Sequence, residues 1–218
     1  MITNLVVVFI VRKGNPRNIR TWDDLIEPGV EVIEPNPFTS GGAKWNIMAA
    51  YGAQLQAGKT PAQAADYLLE LFRQVPVQDK SAREALQTFI GGKGDVMLAY
   101  ENEAINAQQK EQPVDYVVPD NTILIENPIA VVSKSRNAAA AAAFVDFLRS
   151  EPAQKLYAER GYRPVNQTAA AGAGFPEPSG LFTIKDLGGW SDVNKKFFDK
   201  DAGIVAEIER KVGVSVGS

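Results

Sequence analysis

The segment SGGAK, residues 40–44, combines residue types that suit anion binding at the start of a helix. Apolar residues recur with helical spacing after it, so a helix is predicted to follow Ser40 and run to about Leu55. The first N–H groups of a helix lack intrahelical acceptors and lie at the positive end of its macrodipole. Glycines at positions 41 and 42 would let an anion reach those groups without meeting a Cβ. An ordinary serine cap with a glycine turn explains the same residues, so both interpretations stand.

Lys44 falls in the first turn of this predicted helix, where a cation opposes the macrodipole. A nearby anion would remove that conflict. The segment is not a phosphate-binding P-loop, because it lacks the required glycine spacing and the terminal hydroxyl residue. It is not a dinucleotide fingerprint either, because the third glycine is missing. No cofactor is therefore expected.

A second predicted helix start lies in DKSARE, residues 79–84. Ser81 and Glu84 have the spacing of a capping box, which would place the backbone N–H of Ala82 in the first turn. The simplest interpretation is a capping box that only starts a helix. Taken alone, the segment says little about function.

A third segment, GDVMLAYENEA at residues 94–104, delivers polar side chains to the end of a predicted strand. In open α/β sheets the carboxyl ends of strands are where ligands bind. Tyr100 lies at this end, and Glu101 and Glu103 follow it. Because these two acids are two residues apart, they do not form a convergent pair on a helix, and they are interpreted as first-turn acids that complement the macrodipole.

The composition excludes several classes of function. The chain has 218 residues and a net charge of −3, so no basic field favours nucleic acid as a partner. It has no cysteine and no histidine, which removes disulfides, thiol nucleophiles, classical catalytic triads and His-based zinc sites. A hydrolytic or redox enzyme is therefore disfavoured, and the chain is predicted not to be an enzyme.

Predicted strands and helices alternate along the chain, which favours an α/β architecture with a largely parallel sheet. The first apolar run, Leu5–Val11, is rich in β-formers and too short for a transmembrane span, and it lacks the flanking residues of a signal peptide. It is predicted to be a buried strand. The other predicted strands are Val30–Ile33, Val75–Val77, Asp95–Ala99, Val114–Val118 and two β-rich runs within residues 122–135. The remaining helices are predicted at about residues 21–25, 61–74, 81–90, 101–108, 138–148, 152–160, 190–199 and 202–211.

Several segments, taken in order, resemble the periplasmic sulfate-binding proteins of ABC importers. The matching text is VVVFIVRKGNPRNIRTWDDLIEPGVEVIEPNP, SGGAKWN, GDVMLAYENEA, NPIAVVSKS, YRPVN and FTIKDLGGW. The similarity spans nearly the whole chain. It implies a type II periplasmic-binding-protein fold, in which two α/β lobes joined by crossing strands bury a bare sulfate.

The resemblance also implies a set of ligand-binding residues. The family's Ser-Gly-Gly turn supplies a hydroxyl and two backbone N–H groups, which correspond to Ser40, Gly41 and Gly42. A further backbone N–H falls on Ala82. The family's usual tryptophan N–H donor falls on Tyr100, whose phenol donates one O–H from a shorter side chain. Lys44 likewise stands where the family usually has arginine.

The resemblance implies three parts of the chain. Residues 1–12 would be a crossing strand, residues 13–128 a complete lobe with the Ser-Gly-Gly site, and residues 129–218 a return strand and helices of an incomplete first lobe. Family members carry roughly a hundred further residues before the first crossing strand, so the chain is expected to be truncated. Apolar faces of the last part could then drive self-association. The family also implies a periplasmic location and an ABC membrane permease as partner.

Sulfate carries no proton at neutral pH and needs only hydrogen-bond donors, whereas phosphate carries a proton and needs an acceptor. No acidic residue lies within SGGAKW, and a donor facing a donor costs about 1–3 kcal/mol. We therefore expect sulfate to bind and phosphate not to bind. Thiosulfate, selenate and molybdate remain alternatives, as do an effector domain of a transcription regulator and an enzyme of the same fold.

Overall fold

The computed structural model describes residues 1–214 and shows an α/β fold. Its strands are β1 (Thr3–Arg12), β2 (Val32–Ile33), β3 (Val96–Tyr100), β4 (Val114–Val117), β5 (Asn121–Asn127), β6 (Arg163–Pro164) and β7 (Gly180–Thr183). Its α-helices are α1 (Gly41–Gln56), α2 (Pro61–Arg73), α3 (Ala82–Ile90), α4 (Glu101–Gln109), α5 (Ala138–Leu148), α6 (Glu151–Glu159), α7 (Gln167–Ala171), α8 (Gly189–Phe197) and α9 (Ile204–Lys211). Two 3₁₀ turns lie at Asp23–Ile26 and Ile184–Leu187.

Strand β1 runs through the middle of the sheet and connects its two halves. Its second half lies between β3 and β4, with Phe9 opposite both Leu98 and Val117. Its first half lies between β5 and β6, with Asn4 opposite Glu126 and Arg163. All four pairings are antiparallel, and only β2 with β3 and β5 with β7 pair in parallel among the described strands. The α/β class is confirmed, but the prediction of a largely parallel sheet is wrong, because β1 runs against its neighbours.

Local sequence signals fixed the ends of the helices near the site. Ser40 is the N-cap of α1, and its Oγ accepts a hydrogen bond from the N–H of Ala43. Thr60 and Gln63 form a capping box on α2, with proline at the first turn. These short-range interactions depend only on neighbouring residues, which is why the predicted helix starts are confirmed.

Two predicted strands are absent from the described residues. Residues 75–77 are irregular: Val75 donates to the carbonyl of Phe72 in a turn, and Pro76 has no N–H to offer a ladder. The run after Pro128 is also irregular, and Val132 in it is 73% exposed. The return strand expected at the start of residues 129–218 is therefore wrong. β-Propensity alone did not form these strands, because neither run pairs with a neighbouring strand.

The core packs on both faces of β1. Helices α1 and α2 cover one face, and α3 and α4 contribute to a smaller cluster on the other. α1 lies close to the sheet at Gly52, where an added Cβ would come within 2.1 Å of a ring carbon of Phe182. By contrast, α5 contains no buried residue. In residues 1–214, no helix combines the length and apolar character needed to span a bilayer.

Candidate functional site

The three segments singled out in the sequence meet at Gly42. A Cβ built on Gly42 would lie 3.5 Å from Ser40 Oγ, 3.7 Å from Tyr100 Oη and 3.8 Å from Ala82 Cβ. A Cβ on Gly41 would meet nothing within 4 Å. The N-termini of α1, α3 and α4 thus meet beside the carboxyl ends of β2 and β3, as expected for a ligand site in an α/β sheet.

Ser40 is held where its hydroxyl can serve two partners. Its backbone N–H donates to the carbonyl of Asn36 at 2.9 Å. Its Oγ accepts from the N–H of Ala43 at 3.4 Å, and the side chain is buried. Because the oxygen acts as the acceptor in the cap, the O–H hydrogen is left to donate. The cap interpretation is confirmed, and it is compatible with a hydroxyl aimed at an anion.

Ala82 is the first residue of α3. Only one of the two hydrogen bonds of the expected capping box is present at the start of this helix. Ser81 Oγ accepts from the N–H of Glu84 at 3.3 Å. The carboxylate of Glu84 accepts from the N–H of Lys80, at 3.2 Å, instead of from Ser81. The N–H of Ala82 is one of the first-turn donors that α3 itself cannot satisfy. This leaves that N–H able to donate to a ligand beside Gly42.

Tyr100 ends β3 and is the N-cap residue of α4. Burial raises the pKa of its phenol, and the carboxyl groups of Glu103 and Glu34 raise it further. The phenol therefore stays protonated at neutral pH and can donate its O–H. The structure brings this donor to Ser40, Gly42 and Ala82, and the ligand role of all five predicted residues remains a prediction.

Lys44 does not turn toward the helix N-terminus. Its Nζ donates to Asn194 Oδ1 on α8 at 3.0 Å and lies 4.9 Å from the centroid of the Phe198 ring. Burial lowers the pKa of this lysine. The sequence predicted that an anion would relieve the conflict between Lys44 and the helix macrodipole. No anion is needed for this, because α8 already supplies a partner for the ammonium group.

The two acids that follow Tyr100 do more than complement a macrodipole. Both lie in the first turn of α4, as predicted. Glu101 is buried and accepts from Arg163 Nε at 2.6 Å and Nη2 at 2.9 Å. Glu103 instead lines a small cavity with Gly42, Asn46, Ala82, Ala99 and Tyr100. Glu103 therefore lies in the candidate site, although its sequence position alone did not place it there.

Glu34 and Asn46 also belong to this region and were missed in the sequence. Asn46 Nδ2 donates to the Glu34 carboxylate at 3.1 and 3.3 Å and to the carbonyl of Leu98 at 3.0 Å. Burial raises the pKa of Glu34 well above its usual range, with Glu103 and Glu209 adding to the effect. The signal that could have identified Glu34 is its position directly after β2, at the same sheet edge as Tyr100.

Comparison with known proteins identifies the family. The family model for bacterial extracellular solute-binding proteins matches residues 2–163. The chain belongs to this family. Its members bind solutes and are not enzymes, in agreement with the expectation from composition.

Individual relatives agree in fold and in sequence. The chain is 41% identical over 219 residues to a sulfate-binding protein of Synechococcus elongatus, covering 97% of this chain and 62% of that protein. It is 36% identical to a thiosulfate-binding protein of Escherichia coli, covering 87% of this chain and 59% of that protein. The solved sulfate-binding protein SubI from Mycobacterium tuberculosis superposes with a TM-score of 0.83 at 46% identity, covering 90% of this chain and 70% of the other. The chain thus spans less than two thirds of the length of these two curated relatives.

Proposed function

We propose that this chain binds inorganic sulfate at the N-termini of α1, α3 and α4. The observation that carries the proposal is the approach of Ser40, Ala82 and Tyr100 to one point beside Gly42, within 4 Å of a Cβ built there. Each residue offers a donor: a hydroxyl, a backbone N–H and a phenol O–H. A dianion gains from backbone donors at several helix N-termini without needing a cationic side chain. The named sulfate-binding relatives support the same ligand.

Thiosulfate is the second candidate, because one of the similar proteins is a thiosulfate-binding protein. Both anions present acceptor oxygens on a tetrahedral centre, so the donor set alone does not separate them. Phosphate differs because it carries a proton. Its rejection depends on the acceptors nearby, and the carboxyl of Glu103 lines the same cavity. A neutral Glu103 leaves a site rich in donors, which is the state that favours sulfate over phosphate.

We also propose that the protein works in the periplasm and delivers its ligand to an ABC membrane permease. The family is one of extracellular solute-binding proteins, which supports a location outside the cytoplasm. Pull-down of a co-expressed permease, with and without sulfate, tests this step.

Self-association through residues 129–214 remains part of the proposal. Phe144 and Phe147 on α5 are 57% and 54% exposed, and Leu156 on α6 is 60% exposed. Apolar side chains clustered at a surface usually find a partner. Light scattering of the chain and of a Phe144→Ser, Phe147→Ser variant tests this, and a monomeric parent chain would contradict it.

The binding test compares a glycine in the site with a glycine outside it, by calorimetry with sulfate, thiosulfate and phosphate. Gly42→Ala places a methyl group among Ser40 Oγ, Tyr100 Oη and Ala82 Cβ, whereas a Cβ on Gly172, which follows α7 and does not line this cavity, meets nothing within 4 Å. Alanine favours a helix over glycine, so Gly42→Ala is not expected to unfold α1. We expect Gly42→Ala to abolish sulfate binding and Gly172→Ala to retain it. Equal binding by both variants, or equal heats for sulfate and phosphate with the parent chain, would contradict the proposal.

A further inference from the structure

The cavity beside Gly42 has two buried acceptor atoms that lack donors. Asn46 is only 2% exposed, and its Oδ1 has no hydrogen-bond partner. Glu103 Oε2 is also buried and unpaired. Both residues line the same cavity as Gly42, Ala82 and Tyr100. Unsatisfied acceptors at the edge of a set of donors indicate that something the chain itself does not supply belongs there.

A proton is the simplest donor that satisfies this cavity. Asn46 has already used its amide hydrogens, because Nδ2 donates to Glu34 and to the carbonyl of Leu98. Within residues 1–214 there is no group of three or more acids arranged to hold a metal ion. A proton on Glu103 turns one unpaired acceptor into a donor, and a donor is what the rest of the site offers to an anion.

Burial favours this protonated state of Glu103, whereas the nearest charged group opposes it. Burial acts most strongly on its carboxyl and raises its pKa to about 7, while Arg83 on α3 opposes the shift. Glu34, which directly follows β2, is buried behind the cavity and interacts with Glu103. Glu103 and Glu209, which lies on α9, both raise the pKa of Glu34. The ionised form of Glu34 is therefore disfavoured, and burial is the effect that raises the pKa of Glu103.

We propose that Glu103 is a proton-binding member of the anion site, so that the chain takes up a proton when it binds a divalent oxyanion. The inference rests on the proposed function and names a residue that controls its strength. The step is simple: an ionised Glu103 carboxylate takes a proton from solvent and becomes a carboxylic acid. No bond of the anion changes. A bound dianion favours the neutral acid, because two like charges at close range repel.

The expected effect follows from a single proton. With a pKa of about 7, Glu103 is mostly protonated at pH 6 and mostly ionised at pH 8. If only the protonated form binds sulfate well, affinity falls about tenfold between these pH values. Sulfate carries no proton at either pH, so the ligand does not contribute to the change.

Calorimetry with sulfate at pH 6, 7 and 8, in two buffers of different ionisation enthalpy, measures both affinity and proton uptake. We expect the parent chain to lose about tenfold in affinity and to take up a fraction of a proton that grows toward one at pH 8. Glu103→Gln keeps the shape and cannot ionise, so its affinity should stay constant within about twofold. Glu209→Gln is the matched control, because its pKa is also raised to about 7 while its side chain bonds Gln78 outside the cavity. The Glu209→Gln variant should still lose about tenfold in sulfate affinity between pH 6 and pH 8.

The outcomes separate the two proposals. Sulfate binding that is equally tight at pH 6 and pH 8, with no proton uptake, would overturn the role of Glu103 and leave the proposed function intact. A tenfold fall that persists in Glu103→Gln would also overturn it. Absence of sulfate binding by the parent chain at every pH would overturn the proposed function, and the role of Glu103 with it.

Discussion

Glu101 and Arg163 form a buried ion pair that joins the first turn of α4 to β6. The Glu101 side chain is fully buried and that of Arg163 is 10% exposed. Two hydrogen bonds of 2.6 and 2.9 Å connect them, and Arg163 Nη2 also donates to the carbonyl of Pro176. Burial nevertheless raises the pKa of Glu101, although Arg163 acts to lower it. Desolvation of the carboxylate therefore outweighs the attraction of its partner.

This balance predicts that breaking the pair is costly and that replacing it is not. Glu101→Gln leaves a buried guanidinium without its carboxylate, and removal of one partner from a buried pair costs about 3–5 kcal/mol. Glu177 lies 3.6 Å from Arg163 Nη1 and is exposed, so it offsets part of the loss. We therefore expect Glu101→Gln to lower the free energy of unfolding by about 3 kcal/mol. A Glu101→Met, Arg163→Met double variant removes both charges and should cost less than either single change.

Urea unfolding at pH 7, followed by tryptophan fluorescence, measures these free energies. The matched control is Glu70→Gln, because Glu70 and Arg73 also lie 2.6 Å apart but are about half exposed. An exposed pair of this kind contributes about 0.3–0.5 kcal/mol. The reasoning is refuted if Glu101→Gln costs no more than Glu70→Gln. It is also refuted if the double variant loses as much as the sum of the two single changes.

Three further changes have expected results. Gly52→Ala should lower the melting temperature, although alanine favours a helix, because the new methyl group would lie 2.1 Å from Phe182 and overpacking costs about 1–3 kcal/mol. Ser40→Ala should cost about 1 kcal/mol in urea unfolding through loss of the α1 cap, and it should also weaken sulfate binding in calorimetry. Glu209 has its pKa raised from 4.5 to about 7 in the folded chain, which therefore holds a proton that the unfolded chain releases. Parent stability should fall as pH rises from about 4.5 to 7, whereas Glu209→Gln should show a flatter profile in melting experiments across that range.

The sequence predicted the features that depend on neighbouring residues. The cap at Ser40 and the helix start after Thr60 are each closed by a hydrogen bond that spans three residues, so local residue types are sufficient to predict them. Strand pairing depends on distant residues instead. β1 pairs with β3, β4, β5 and β6. The apolar run of β1 does not itself reveal the direction of β1 relative to these strands. The predicted parallel sheet failed for this reason.

The candidate site divides in the same way. The anion site at Ser40, Gly41 and Gly42 was predicted from local signals, whereas the donor roles of Ala82 and Tyr100 were implied by the family resemblance. The acids of the site were not predicted, because the burial of Glu34 and Glu103 depends on how α1 packs against β3. Glu103 was interpreted as a first-turn acid, which is correct for its position and incomplete for its surroundings. A rule that examines acids directly after buried strands would have selected Glu34, which follows β2.

The position of Lys44 affects which charges act on an anion in the site. This cation lies in the first turn of α1, yet Asn194 and Phe198 hold its ammonium group against α8. An anion at Gly42 therefore relies on neutral donors, while Glu103 lines the same cavity and the buried Glu34 interacts with Glu103. Ionised acids there would repel a dianion across a poorly solvated cavity. A dianion site in this place is thus coherent when the nearest acid is neutral, so the protonation of Glu103 and the choice of ligand depend on each other.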